Sequence, residues 1–188
     1  MIEWPVILST VRLTLRPFRP QDAPDVSRLA GDREVAANTL TVPHPYEEGM
    51  ASEWIAGHAP AAAAGERVVF ALVHEAGLVG AMGLDFAPEH ARAELGYWVG
   101  RPSWGQGFAS EAARELVRYG FEVLGLNRIQ AHHMVRNPAS GRVLEKCGMQ
   151  KEGVVRQYLK KWGEFEDIVM YSILASDQAP DRSAGDTS

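Results

Sequence analysis

The stretch RPSWGQGFASEA, residues 101–112, carries two glycines two apart, Gly105 and Gly107, at the end of a strand-like run and directly before a helical pattern. That order builds an anion site. Glycines let a ligand approach the main chain, and the first N–H groups of the helix point outward with the helix dipole behind them. A phosphate-bearing ligand is the first expectation, and a tight strand-to-helix turn with no ligand is the bland alternative. A P-loop fails, because no G-x-x-x-x-G-K followed by Ser or Thr occurs and the turn holds no lysine. A dinucleotide fingerprint comes closer with Gly105-x-Gly107-x-x-Ser110. Its third position is Ser, however, and RIQAHHMV (128–135), where a ribose-binding acid belongs, has no Asp or Glu.

Other reactive residue types are less promising. Cys147 falls at the end of a helical pattern, where the dipole does not favour a thiolate, so it reads as a buried inert thiol. His132 and His133 are consecutive in a strand and point to opposite faces, so they do not share one metal ion. No metal site is expected. The aromatics Trp4, Tyr46, Trp54 and Tyr97 are read first as core residues.

The elements that must position the turn follow from periodicity. RLTLRPF (12–18) alternates as a half-buried strand, and a helical pattern capped by Asp22 follows over Ala23 to about Val35. TVPHPY (41–46) is a proline-punctuated loop, a second helix runs from Glu47 through Trp54 and Ile55, and HAPAAAAGE (58–66) reads as a helix end and loop. RVVFALVH (67–74) and LVGAMGLDF (78–86) form a hairpin, and AELGYWVG (93–100) leads into the glycine turn. The strongest helix starts there, with apolar Ala109, Ala112, Ala113, Leu116 and Val117 on one face. RIQAHHMV returns as a strand. Asn137 and Pro138 then start a helix that Gly148 stops, since the asparagine side chain accepts an orphan N–H and proline has none to lose. VVRQYLKKW (154–162) and FEDIVMYSIL (165–174) form a final hairpin.

The chain of 188 residues is expected to be one domain over 1–175, with a loose tail over 176–188 that has too few apolar residues to pack. A charged fraction of 23% and a hydrophobic fraction of 46% are those of an ordinary soluble protein, and no apolar run is long enough to span a bilayer. The N-terminus lacks the features of a secretory signal, and a single cysteine fits a reducing compartment, so a cytoplasmic location is expected. A net charge of −5 argues weakly against nucleic acid and favours a cationic small partner.

The run ELGYWVGRPSWGQGFASEA, Glu94 to Ala112, resembles the acyl-CoA-binding motif of the GNAT superfamily of N-acetyltransferases, and most closely its RimJ/RimL-like branch. STVRLTLRPF, PHPYEEGMASEWI, VRNPASGRVLEKCGM and GEFEDIVMYSIL extend the resemblance over most of the chain. The superfamily loop, Q/R-x-x-G-x-G/A, falls on Trp104, Gly105, Gln106, Gly107, Phe108 and Ala109, with Trp104 departing from the pattern. The resemblance implies an α/β (α+β) acyl-CoA N-acyltransferase fold. Its sheet is mixed, mostly antiparallel and seven-stranded, flanked by helices, and its two central parallel strands, near 94–99 and 128–135, splay to admit the pantetheine arm.

It also implies an acetyl-CoA-dependent transfer to a primary amine, by direct attack in a ternary complex. The loop residues would bind the diphosphate, Asn137 the pantetheine amides and Arg142 a phosphate, while the Val99 N–H polarises the thioester carbonyl. Glu94 is favoured as the base, with Glu166 and Asp167 as alternatives that orient the amine, and Ser140 matches the hydroxyl that protonates the departing thiolate. Tyr46, Trp54 and Asp167 would contact the acceptor, a protein N-terminus or a small-molecule amine. A homodimer is a family-level expectation, with no nucleic acid or membrane as direct partner. The competing readings are a non-catalytic acyl-CoA-binding sensor and, third, a nicotinamide-dependent oxidoreductase.

Overall fold

The computed structural model describes residues 4–178. Eight strands form one sheet: β1 (Leu8–Ser9), β2 (Thr14–Pro17), β3 (Arg67–His74), β4 (Gly77–Ala87), β5 (Arg92–Val99), β6 (Arg128–Met134), β7 (Gln150–Lys161) and β8 (Glu164–Leu174). Their order is β1-β2-β3-β4-β5-β6-β8-β7, and every neighbouring pair is antiparallel except β5 and β6. The count exceeds the expected seven by β1, a two-residue pairing of Leu8 with Leu15 and Ser9 with Thr14. Two residues carry no alternation long enough to be read from sequence.

Among the described residues six α-helices flank the sheet: α1 (Ala23–Ala30), α2 (Arg33–Ala37), α3 (Met50–Ala56), α4 (His58–Ala63), α5 (Phe108–Glu122) and α6 (Pro138–Lys146). The single helix expected after Asp22 is two. Asp32 accepts a hydrogen bond from the Glu34 N–H at 2.8 Å and starts a new helix, so its side chain competes with helix continuation. The expected loop at 58–66 is largely α4, because Pro60 lies in the first turn, where its missing N–H has no intrahelical partner to lose.

Strand periodicity divides the core in two. Val68, Phe70 and Leu72 of β3 enter a cluster with Leu116 of α5, Ile129 of β6 and Leu144 of α6. Val69, between them, enters another with Val26, Leu29, Ile55 and Trp98 beneath α1 to α3.

The parallel pair β5–β6 is joined at three positions only: Arg92 with Arg128, Ala93 with Ile129 and Glu94 with Gln130. Beyond Glu94 the two strands no longer pair, while β6 stays paired to β8 as far as Met134 with Ile168. A gap therefore opens in the middle of the sheet. At the C-terminal end, Ala175–Gln178 form one turn of 3₁₀ helix, so the expected tail starts ordered, and the rest of it, 179–188, lies outside the described residues.

Candidate active site

The turn between β5 and α5 positions the first half of the site. Gly105 (φ +74°) and Gly107 (φ +83°) both adopt the left-handed conformation that side chains disfavour, and Gly107 is the N-cap of α5. No side chain caps this N-terminus. The first N–H groups of a fifteen-residue helix are thus left to an outside acceptor, whereas α6 has its own cap in Asn137. Arg12 braces the turn from below. Its guanidinium donates to the Gln106 carbonyl at 3.0 Å, pairs with Glu111 and lies 4.7 Å over the Phe108 ring. Trp104 donates its indole N–H to the Val99 carbonyl at 2.7 Å, which ties the turn to the end of β5.

A cavity of about 340 Å³ lies against this turn. Trp104, Gly105, Gly107, Ala109 and Val99 line one side, and Asn137, Ser140 and Arg142 of α6 the other. Phe108 lines the cavity while most of it is buried in the core, 4% exposed. One of the expected loop contacts differs. The Gln106 side chain folds back onto the Pro102 carbonyl at 2.9 Å and does not line the cavity.

A second cavity, about 490 Å³, opens on the other side of the gap. Glu94, Tyr46, Trp54, Glu53 and His132 line it, and its wall includes the loop segment 38–43. The two cavities share Asn38, Thr39, Tyr97, Trp98 and Ser140. At their junction the Tyr97 hydroxyl and Ser140 Oγ are 2.7 Å apart. Asn137 accepts the Ser140 N–H at 3.3 Å, a cap worth about 1 kcal/mol that also fixes the serine at the start of α6. Burial pushes the Tyr97 phenol up to about 12, outweighing the hydrogen bond to Ser140, so it stays protonated at neutral pH. Tyr97, read from sequence as core, does pack against the larger core cluster, and its hydroxyl contact to Ser140 is an addition to that reading.

Glu94 occupies the last paired position before β5 and β6 part. Its Oε2 accepts from the Gln130 side-chain amide at 3.1 Å, and its Oε1 lies 3.1 Å from His132 Nδ1. The His132 contact, and then the Gln130 amide, hold the carboxyl below the usual glutamate range despite its burial. His132 and His133 do point to opposite faces. His132 turns to Glu94 with Tyr158 across its ring, and His133 packs on Tyr171 with its Nδ1 2.8 Å from the Met134 carbonyl.

Asp167 and Glu166 stand apart from this arrangement. Asp167 accepts the Gln157 N–H at 2.7 Å within the last hairpin, Glu166 pairs with Arg136, and neither lines either of these two cavities. Their strand-end position made them candidates, but Asp167 is turned into the hairpin and Glu166 out of it, to Arg136 beyond the end of β6. Cys147 is buried, with its Sγ 3.0 Å from the Leu144 carbonyl, and burial raises its thiol above the ordinary value.

The loop over the larger cavity is hung from the C-terminal half of the chain. Lys161, 6% exposed, donates to the carbonyls of Leu40 and Val42 at 3.3 and 3.1 Å. Arg136 donates to the Ala37 carbonyl at 2.6 Å while bridging to Glu166. Behind Trp54, His58 of α4 packs 4.3 Å from its ring and near Phe18, with no hydrogen-bond partner for either ring nitrogen among the described residues.

Comparison with known proteins gives this geometry a context. The family model described as Acetyltransferase (GNAT) domain matches residues 12–150. An uncharacterized N-acetyltransferase of Bacillus licheniformis, p20, is 35% identical over 175 residues, 92% of this chain and 98% of that protein. The [Ribosomal protein uS5]-alanine N-acetyltransferase of Escherichia coli K12 is 34% identical over 88 residues, 47% of this chain and 45% of its own length. Among solved structures, Mycobacterium smegmatis RimJ in complex with CoA-disulfide has a TM-score of 0.84 at 25% identity, covering 94% of this chain and 91% of that one.

Proposed function

This chain belongs to the acetyltransferase (GNAT) family and is an acetyl-CoA-dependent N-acetyltransferase, and we propose that the acetyl group crosses at the Tyr97–Ser140 contact to a primary amine in the larger cavity. The observation that carries this reading is the meeting of two cavities at that contact, one against an uncapped helix N-terminus and the other against a held carboxylate.

Coenzyme A supplies the acetyl group as an activated thioester. The uncapped amides of the turn 105–109 suit its diphosphate, with Arg142 as a cation from α6 and Asn137 facing the pantetheine amides. The Val99 N–H polarises the acyl carbonyl. Glu94, directly or through one water, takes the proton of the incoming ammonium, and His132 orients its carboxylate. As the tetrahedral adduct collapses, Ser140 hands its hydroxyl proton to the departing sulfur and takes up the second proton shed by the amine nitrogen, while the neutral Tyr97 phenol holds Ser140 Oγ by a hydrogen bond. Holding both reactants across one junction supplies most of the acceleration, since effective molarities reach roughly 10⁵ M.

The acceptor is a protein N-terminus or a small cationic amine. Glu53, Asp85 and Glu94 against Arg67 give the larger cavity a negative balance, and Tyr46 and Trp54 give it an aromatic wall for a cation. The reading is tested by coenzyme A release from acetyl-CoA in the presence of peptides and small amines. Turnover with at least one acceptor is expected; tight acetyl-CoA binding with no turnover on any of them would make the chain a sensor of acyl-CoA instead.

A further inference from the structure

The floor of the larger cavity contains a residue that neither its packing nor its backbone explains. Gly96 lies in the middle of β5, a central strand, where a glycine forfeits side-chain packing and conformational entropy. Its φ is not positive, so nothing in the main chain demands glycine. It is exposed, it lines the cavity, and a Cβ built on it meets nothing within 4 Å.

Its partner across the ladder makes the contrast. Gly83, directly opposite on β4, also lines the cavity, but a Cβ there would come within 2.5 Å of the Val68 carbonyl oxygen. Gly80 on the same strand is equally crowded, at 2.3 Å from the Trp98 oxygen. Those two glycines are required by neighbouring main chain. Gly96 is required by nothing the protein itself contains.

Alternation along β5 sets what flanks the bare patch. Glu94, Gly96 and Trp98 share one face, so the patch lies between the carboxylate and an indole that sits 6.4 Å from the ring of Trp54. We propose that Gly96 is the specificity-determining position of the acceptor cavity, its missing side chain admitting the carbon body of a cationic amine laid between Glu94 and Trp98. The proposal rests on the acetyltransferase reading above. The acceptor class it implies is an amine whose body passes flat across the sheet, with the charged nitrogen towards Glu94 and the rest against the Trp98–Trp54 wall.

The experiment uses the full chain with acetyl-CoA and three probe acceptors: tyramine, spermidine and a short alanine-initiated peptide. Wild type, Gly96→Ala and Gly96→Leu are compared by acceptor KM and kcat, by acetyl-CoA dissociation constant and by melting temperature. Gly96→Leu is expected to raise the KM of the best acceptor at least about tenfold, or abolish its turnover, with acetyl-CoA binding within about threefold of wild type. Gly96→Ala is expected to lie between them. An unchanged acceptor KM in Gly96→Leu overturns the proposal. Should Gly96→Leu fail to fold, Gly96→Ala decides, and an unchanged acceptor KM there overturns it likewise. Wild type that binds acetyl-CoA yet acetylates none of the probes defeats the enzyme reading itself, and this inference falls with it.

Discussion

The Tyr97 hydroxyl and Ser140 Oγ stand 2.7 Å apart at the place where strand β5 has left β6 and helix α6 begins, and this contact is the wall shared by both cavities. Ser140→Ala removes the proposed proton donor but leaves Asn137 capping α6 through the main-chain N–H of residue 140. Its kcat is expected to fall by about 10²-fold, the lower end of what proton-transfer groups contribute, with acetyl-CoA affinity little changed. Steady-state kinetics alongside calorimetric binding would show it, and an unaltered kcat would remove Ser140 from the acid role.

Glu94→Gln is expected to lower kcat/KM for the acceptor by about 10²- to 10³-fold. The pH profile carries a finer signature. A carboxyl held below its ordinary range stays ionised, and competent as a base, until pH drops through that lowered value. His132→Phe removes the first cause of the lowering, so the acid limb of kcat/KM should move upward towards the ordinary carboxylate range. A limb that stays in place in this variant would separate His132 from Glu94.

Gly107→Ala forces a side chain into φ +83° at the mouth of α5. The left-handed conformation costs about 1–2 kcal/mol for a residue with a Cβ, and relief of that strain would turn the first N–H groups away. Isothermal titration is expected to show at least roughly tenfold weaker acetyl-CoA binding, with the acceptor side unaffected once the cosubstrate is saturating.

His58 predicts a pH-dependent stability. Burial, and to a lesser degree Arg67, lowers its pKa to about 4, whereas the unfolded chain holds it near roughly 6.5. Between those values the unfolded state binds more protons, so this contribution is present above the unfolded value and is lost as pH falls through the window. Melting temperature should decline from pH 6.5 to 4. In His58→Phe, which keeps a ring against Trp54 and Phe18, the decline should be visibly shallower.

Lys161→Met leaves the Leu40 and Val42 carbonyls without their buried donor, at a cost of about 1–3 kcal/mol. The loop it holds lines the larger cavity, so acceptor KM should rise several-fold while the acetyl-CoA dissociation constant does not move. Equal changes in both would show a general loss of folding rather than a loosened loop.

Local pattern made much of this architecture readable. β3 matches the run RVVFALVH at both ends, β4 and β5 lie within a residue of their expected limits, and Asn137 caps the helix it was expected to cap. Those features depend on alternation and side-chain chemistry within a few residues. What stayed illegible depends on register between distant segments. Glu94 meets His132 only because β5 and β6 pair in parallel as far as Gln130, and no periodicity encodes that alignment. Tyr97 looked like core because an aromatic in a strand usually is, and only the opening of the sheet beside it turns its hydroxyl to Ser140. The partner of Asp167 was unreadable for the mirror-image reason, since irregular pairing of the last hairpin between Val155 and Leu159 presents it to the Gln157 N–H.

The suspension of the 37–42 segment from Lys161 and Arg136 has an evolutionary corollary. The region that would be altered to retune acceptor choice and the cations that support it lie 99 to 121 residues apart in sequence. A chimera that grafts a relative's N-terminal third onto this scaffold must bring the matching lysine and arginine with it, and swaps that ignore the coupling should lose selectivity before they lose the fold.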